Sequence, residues 1–162
     1  MEQSQVTLQT VRAALRLPLP GRVAQQMMAP RPRPGDRAGL PRPCPNEGAV
    51  LLLLYPRDGK LVMPLTRRTQ NVEVHKGQVS LPGGAREAED GSFADTALRE
   101  ASEELGVTKE AIEVLGALTP LFIPVSRFCV YPYVGYTPRH FPLRLDPNEV
   151  EEVIEVPLDH LL

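Results

Sequence analysis

The sequence has little net charge, no apolar run long enough to cross a bilayer, no leader-like start and only two cysteines, and each shortage removes a class of protein. A formal charge of −2 and a pI of about 5.9 exclude a general nucleic-acid binder, whose affinity rests on neutralising many phosphates. A small anionic ligand must then be met by a local device. The apolar run Ala49 to Leu54 falls far short of the roughly 20 residues that a membrane helix needs. Met1-Glu2-Gln3-Ser4-Gln5 lacks the basic-then-apolar layout of a secretory signal, so the reading is a soluble, cytoplasmic protein. Cys44 and Cys129 show no C-x-x-C spacing, which argues against a zinc site or a disulfide framework and leaves two free thiols as the expectation. What remains is 162 residues with 42 % hydrophobic content, enough for one packed domain and too short for two.

Leu8, Val11 and Leu15 fall at helical spacing within residues 6–17, and Pro18 and Pro20 stop the run, which predicts a short N-terminal helix. Six prolines between Ala29 and Pro45, mixed with arginines, forbid helix and sheet ladders and predict an extended connector. Seven arginines against Asp36 alone make residues 11–45 carry +6, so the rest of the chain carries −8. Such an arm either reaches over a phosphate-rich ligand or is a solvated segment. The expected division is residues 1–45 as N-terminal helix and Pro/Arg-rich arm, and residues 46–162 as the folded domain. Within the latter, Gly48 to Tyr55 reads as a strand buried on both faces, joined through the Asp58-Gly59 turn to a second strand, Leu61 to Thr66. Ile112 to Leu121 and Phe128 to Tyr136 predict another β pair, Val150 to Val156 a late strand, and Pro157 to Leu162 the start of a helix. Strands interspersed with helices make an α/β sandwich around a mixed sheet the natural class.

Ser92 followed three residues later by Asp95 has capping-box spacing, which predicts a helix from about Phe93 to Leu105 with Gly106 at its left-handed end. On that helix Ala94, Leu98, Ala101 and Leu105 share an apolar face, and Glu100, Glu103 and Glu104 fill the adjoining arc. Like charges at i, i+3 and i+4 cost about a few tenths of a kcal/mol per pair. A hard divalent cation offsets that cost, since Mg²⁺ takes oxygen ligands and bridges to substrate phosphates. Taken alone, three glutamates usually make a solvated face. Upstream, however, Gly83-Gly84 follows the strand-like Gln78 to Leu81 and lets the backbone turn sharply against a ligand.

Read together, Gly84, Glu87, Glu89, Asp90, Arg99, Glu100, Glu103, Glu104, Leu105, Gly106 and Val107 resemble the Nudix box, Gly-x5-Glu-x7-Arg-Glu-U-x-Glu-Glu-x-Gly-U, where U is aliphatic. The second half matches at every fixed position. The stretch between Gly84 and Arg99 is one residue longer than the generic box, so the first acid is open among Glu87, Glu89 and Asp90. The coenzyme A diphosphatase branch of that family has a similarly lengthened loop. Leu65 to Gly84 also resembles that branch's signature, Leu-Thr-x-Arg-Ser-x-x-x-Arg-x-His-x-Gly-Gln-Val-x-Phe-Pro-Gly-Gly. Here Thr69 stands for Ser or Ala, Glu73 for a basic residue and Leu81 for Phe. The resemblance covers residues 46 to 162 and implies an α/β/α sandwich around a mixed β-sheet.

It further implies a Mg²⁺- or Mn²⁺-dependent hydrolase in which Glu100, Glu103 and Glu104 hold the metal and Glu103 or Glu104 doubles as base. Arg99 would pair with a loop acid and orient the loop, and Glu149 would add a ligand or base. Arg67, Arg68, His75, Lys76, Gln78, Gly83 and Gly84 would line the substrate, the cations by charge-assisted hydrogen bonds. His140 and His160 carry no such context. The expected partner is a small nucleotide of the coenzyme A class, cleaved to 3′,5′-ADP and 4′-phosphopantetheine, with a homodimer admitted and neither nucleic acid nor membrane. Alternatives are hydrolysis of ADP-ribose or noncanonical nucleoside triphosphates, and a non-catalytic binding module, which would be expected to lose box carboxylates that are all present here.

Overall fold

The run Ala49 to Tyr55 is apolar at every position because the strand it forms is covered on both sides. The computed structural model describes residues 5–28, 40, 43–69 and 77–161. In chain order they form α1 (Leu8–Leu15), α2 (Gly21–Met28), β1 (Asn46–Arg57), β2 (Lys60–Arg68), β3 (Val79–Ser80), β4 (Gly83–Ala85) and α3 (Phe93–Leu105). There follow β5 (Glu113–Ala117), β6 (Leu121–Ile123), β7 (Phe128–Tyr136) and β8 (Val150–Pro157), with short 3₁₀ turns at Lys109–Ala111 and Leu158–Leu161. The mixed eight-stranded sheet runs β3-β2-β1-β7-β5, and β4, β6 and β8 pair with β1, β7 and β2.

β1 is the shared member. It runs parallel to β7 from Asn46 opposite Phe128 to Leu54 opposite Tyr136, pairs antiparallel with β4 at Gly48 to Val50, and turns into β2. Asp58 and Gly59 both take positive φ, 49° and 76°, the conformation a two-residue hairpin turn demands. Side chains alternate across a strand, so Ala49, Leu51, Leu53 and Tyr55 pack on one face against Ala97, Ala101 and Leu105 of α3. Leu52 and Leu54 pack on the other, with Met63, Val134 and, from α1, Val11 and Leu15. The α/β/α sandwich expected from the sequence is the fold observed, and each buried Leu adds about 1.5 to 3 kcal/mol to it.

Four features differ from expectation: Ile112 to Leu121 holds β5 and the start of β6 rather than one strand, the segment after Pro157 is a 3₁₀ turn rather than a helix start, and an extra helix and a disulfide are present. The helix α2 was not read from the sequence; it follows Pro20, and its Gln25 side chain donates to the Thr119 carbonyl at 2.8 Å. The cysteines, expected as free thiols, form a Cys44–Cys129 disulfide. They stand 85 residues apart, so local spacing cannot reveal the pair. The parallel β1–β7 ladder sets Glu47 opposite Cys129 and brings the two cysteine Cα atoms to 6.2 Å. Most of the proline- and arginine-rich arm lies outside the described residues, as do Glu73, His75 and Lys76. No helix among the described residues is long and apolar enough to cross a membrane.

Candidate active site

The acidic helix begins and ends where its caps dictate. The Ser92 hydroxyl accepts from Asp95 N at 3.2 Å and turns its own hydrogen to Asp95 Oδ2 at 2.8 Å. Gly106 closes the helix at φ 75°, where a Cβ would stand 2.6 Å from that of Arg144. Because Ala97, Ala101 and Leu105 are fully buried against β1, the glutamate arc faces the adjacent strand β4. The backbone there comes in close: a Cβ on Gly84 would lie 2.3 Å from Glu100 Oε1. Only glycine admits that approach.

Arg99 ties the preceding loop to the helix. Its Nε and Nη2 each bond an oxygen of Asp90 at 3.1 Å, Nη2 also reaches the Ala85 carbonyl at 3.0 Å, and Nη1 bonds Glu100 Oε1 and Glu103 Oε2 at 3.0 Å each. Asp90 Oδ2 accepts further from Thr96 Oγ1 at 2.9 Å and Glu87 N at 3.0 Å. The Arg99 hydrogen bonds hold the Asp90 carboxyl well below the usual carboxylate range, against the opposing effect of burial. Of the three loop acids left open by the sequence, Asp90 is therefore the buried partner of Arg99, while Glu87 is exposed with its carboxylate 3.6 Å from Nη1.

The three helix glutamates are not equivalent. Glu103 is largely exposed, Glu100 is mostly covered, and Glu104 is buried at 3 % exposure. Glu104 accepts from Thr66 Oγ1 at 3.1 Å and, at a long 3.4 Å, from Gly83 N. Burial pushes its carboxyl up to about 7; those two donors and Arg68 oppose the rise, and the charge of Glu100 adds to it. Burial also raises Glu100. Arg99 resists that shift, and the charges of Glu103 and Glu149 reinforce it. Negative charge from the helix and from the distant Glu149 thus converges on one spot.

Among the other candidates, Arg68 and Arg67 part company. Arg68 points with Thr66 toward Glu104, its Nη2 lies 3.9 Å from Glu149, and its buried Nε has no hydrogen-bond partner among the described residues. Arg67 is half-exposed and pairs with Glu152 at 3.1 Å, on the opposite face of β2. Gln78 accepts from Arg68 N through its backbone oxygen at 3.0 Å. His140 lies beside Tyr55 and Glu155, outside this cluster. Sequence reasoning passed over Thr66, Thr69 and Thr96, whose hydroxyls bond Glu104, Asn148 O and Asp90; the alternation that sets Thr66 on the Arg68 face was the available signal.

No three His, Cys, Asp or Glu side chains among the described residues form a ready-made cation cage, because Arg99 stands between Glu100 and Glu103. The donor set nonetheless fits a hard divalent cation: carboxylate oxygens only, one of them disfavoured as an anion by its burial, which the nearby Arg68 only partly offsets.

Fold and site together define the class, a mixed α/β sandwich with a glutamate-rich helix set across a glycine turn. Residues 45–162 match the family model described as NUDIX domain, and the chain belongs to that family. Nudix hydrolases generally use divalent metal ions. The uncharacterized Nudix hydrolase NudL of Salmonella newport (strain SL254) is 42 % identical over 107 residues, covering 66 % of this chain and 54 % of that protein. The match thus spans about half the length of the curated relative. Among solved structures, an Ap4A hydrolase binary complex from C. elegans superposes with a TM-score of 0.58 at 18 % identity, covering 72 % of this chain and 82 % of that one. The NUDIX domain of Shewanella oneidensis NrtR complexed with ADP ribose gives 0.53 at 21 % identity, covering 85 % and 84 %. At those identities the likeness is one of fold.

Proposed function

We propose that the protein hydrolyses the diphosphate bond of a nucleoside diphosphate linked to another moiety, with coenzyme A or its derivatives as substrate. The observation that carries the hydrolytic reading is Glu104, a carboxylate buried beside Glu100 against the Gly83-Gly84 turn with too little positive charge to balance it. Glu100, Glu103 and Glu104 would hold Mg²⁺ or Mn²⁺, which neutralises phosphoryl charge and acidifies water when bound. Arg99 orients the loop and, by its bonds to Glu100 and Glu103, keeps two of those carboxylates in place. Arg68, whose guanidinium lies near both Glu104 and Glu149, is the cation suited to a substrate phosphate oxygen. Glu103 or Glu104 on the helix, or Glu149 from the late loop, would take a proton from the attacking water.

The coenzyme A assignment is supported by the Leu65 to Gly84 segment and the lengthened loop before Arg99. A homodimer and a cytoplasmic setting, in which the Cys44–Cys129 pair would stand reduced, belong to the same reading. Purified protein with Mn²⁺ is assayed by chromatography against coenzyme A, ADP-ribose, Ap4A and a noncanonical nucleoside triphosphate. Release of 3′,5′-ADP and 4′-phosphopantetheine is expected; cleavage of another member of the panel with coenzyme A intact would sink the assignment. Loss of every activity in Glu104→Gln, with folding preserved, is expected of the metal site.

A further inference from the structure

The end of strand β2 and the residue after it present three side chains, Thr66, Arg68 and Thr69, to different parts of the site. Thr66 is 1 % exposed, and its Oγ1 donates to Glu104 Oε2 at 3.1 Å, joining residues 38 apart in sequence. Thr69, 7 % exposed, donates twice to the turn preceding β8: its Oγ1 to the Asn148 carbonyl at 2.8 Å and its N to the Glu149 carbonyl at 2.9 Å. Between them Arg68 continues the ladder to β8 at Val150, across a shift in register.

The two threonines hold the segments that carry Glu104 and Glu149, between which Arg68 also lies. Glu104 sits buried in the last turn of α3, and of its two donors the Thr66 hydroxyl on Oε2 is the shorter, with Gly83 N on Oε1 at 3.4 Å, so the hydroxyl helps to select its rotamer. Glu149 ends the irregular connection from β7 to β8. The two Thr69 bonds, one to the Asn148 carbonyl and one to the Glu149 carbonyl, fix the backbone there, and the Glu149 carboxylate lies 3.9 Å from Arg68 Nη2. A buried hydroxyl needs only a single acceptor, and the nearby Ser80 carbonyl, 3.5 Å from Thr66 Oγ1, is the poorer choice in distance.

We infer that Thr66 and Thr69 are positioning residues: Thr66 sets Glu104 for the metal, and Thr69 sets Glu149 for the reaction, so that one strand end registers the helix and the late loop against each other. The inference rests on the metal-site reading above. It is tested with Thr66→Val, Thr66→Ser, Thr69→Val and Thr69→Ser in the full chain, measuring Mn²⁺ affinity of the substrate-free protein by electron paramagnetic resonance, kcat and KM on the cleaved substrate, and melting temperature.

Thr66→Val is expected to weaken Mn²⁺ binding by roughly 10-fold or more, with Thr66→Ser restoring it. Thr69→Val is expected to keep Mn²⁺ affinity, lower kcat roughly 10-fold at little changed KM, and be rescued by Thr69→Ser. Wild-type affinity in Thr66→Val, or losses that follow melting temperature and that serine does not repair, would overturn the inference. Failure of the wild-type protein to bind Mn²⁺ would instead remove the metal-site reading on which it stands.

Discussion

Asp90 and Arg99 form the most demanding contact at the scale of single residues. Both are largely buried, with side chains 5 % and 12 % exposed, and they share a two-pronged pair. Replacing Asp90 removes both of those charged hydrogen bonds while Arg99 keeps Glu100 and Glu103, a loss of roughly 2 to 3 kcal/mol. Asp90→Asn should therefore lower stability by about that much in urea unfolding at neutral pH. The sign with pH follows from the depressed carboxyl. Its stabilisation is fully present above the ordinary carboxylate value of about 4 and is lost as pH falls toward the lower native value. Between about pH 5 and about pH 2 the wild type should lose more stability than Asp90→Asn; equal losses would show that Asp90 is not the paired acid. At Gly84 the constraint is spatial. A methyl there displaces the Glu100 carboxylate, so Gly84→Ala should lower kcat/KM on the order of 10- to 100-fold while melting temperature changes little.

At the scale of elements, a covalent tie runs from Cys44, just before β1, to Cys129 in β7. The Cys44–Cys129 bond closes a loop spanning 85 residues, for which chain entropy gives a stabilisation of about 4 to 5 kcal/mol. Reduction, or Cys44→Ser, should lower unfolding free energy by up to that amount, and alkylation with intact-mass measurement should find no reactive thiol before reduction. A cytoplasmic setting would keep such a bond reduced. An alkylated native protein with both cysteines modified would therefore assign the bond to oxidising conditions alone. The same ladder sets the site: β4 pairs with β1 at Gly48 to Val50, so the glycine turn is fixed by the strand against which α3 packs.

For the whole molecule, the sheet is covered on both sides, and the N-terminal segment supplies one cover. Val11 and Leu15 of α1 close the face opposite α3, Arg12 pairs with Glu113 at 2.6 Å, and Val6 N donates to Asp159 Oδ1 at 2.8 Å. Leu15→Ala, at a half-buried position, should cost about 1 to 2 kcal/mol by thermal unfolding and leave metal binding intact, since the site lies across the sheet. A change in Mn²⁺ affinity without loss of stability would contradict that separation. Three glutamates, a glycine turn and the end of β2 meet only because β1 is common to α3, β4 and β2.

By itself the sequence determined whatever depends on neighbours along the chain. The limits of α3 follow from Ser92, Asp95 and Gly106, the β1–β2 hairpin from Asp58-Gly59, and the double-sided burial of β1 from its unbroken apolar run. Capping, turn chemistry and periodicity are local interactions, so they can be read locally. Only the tertiary structure decided that Cys44 meets Cys129, that Asp90 rather than Glu87 or Glu89 is the buried partner of Arg99, and that Glu104 is enclosed while Glu103 is not. It also separated Arg68 from Arg67 and brought Thr69 under Glu149. Those outcomes depend on strand register and on which face of each element is covered, and contacts between residues far apart in the chain fix both.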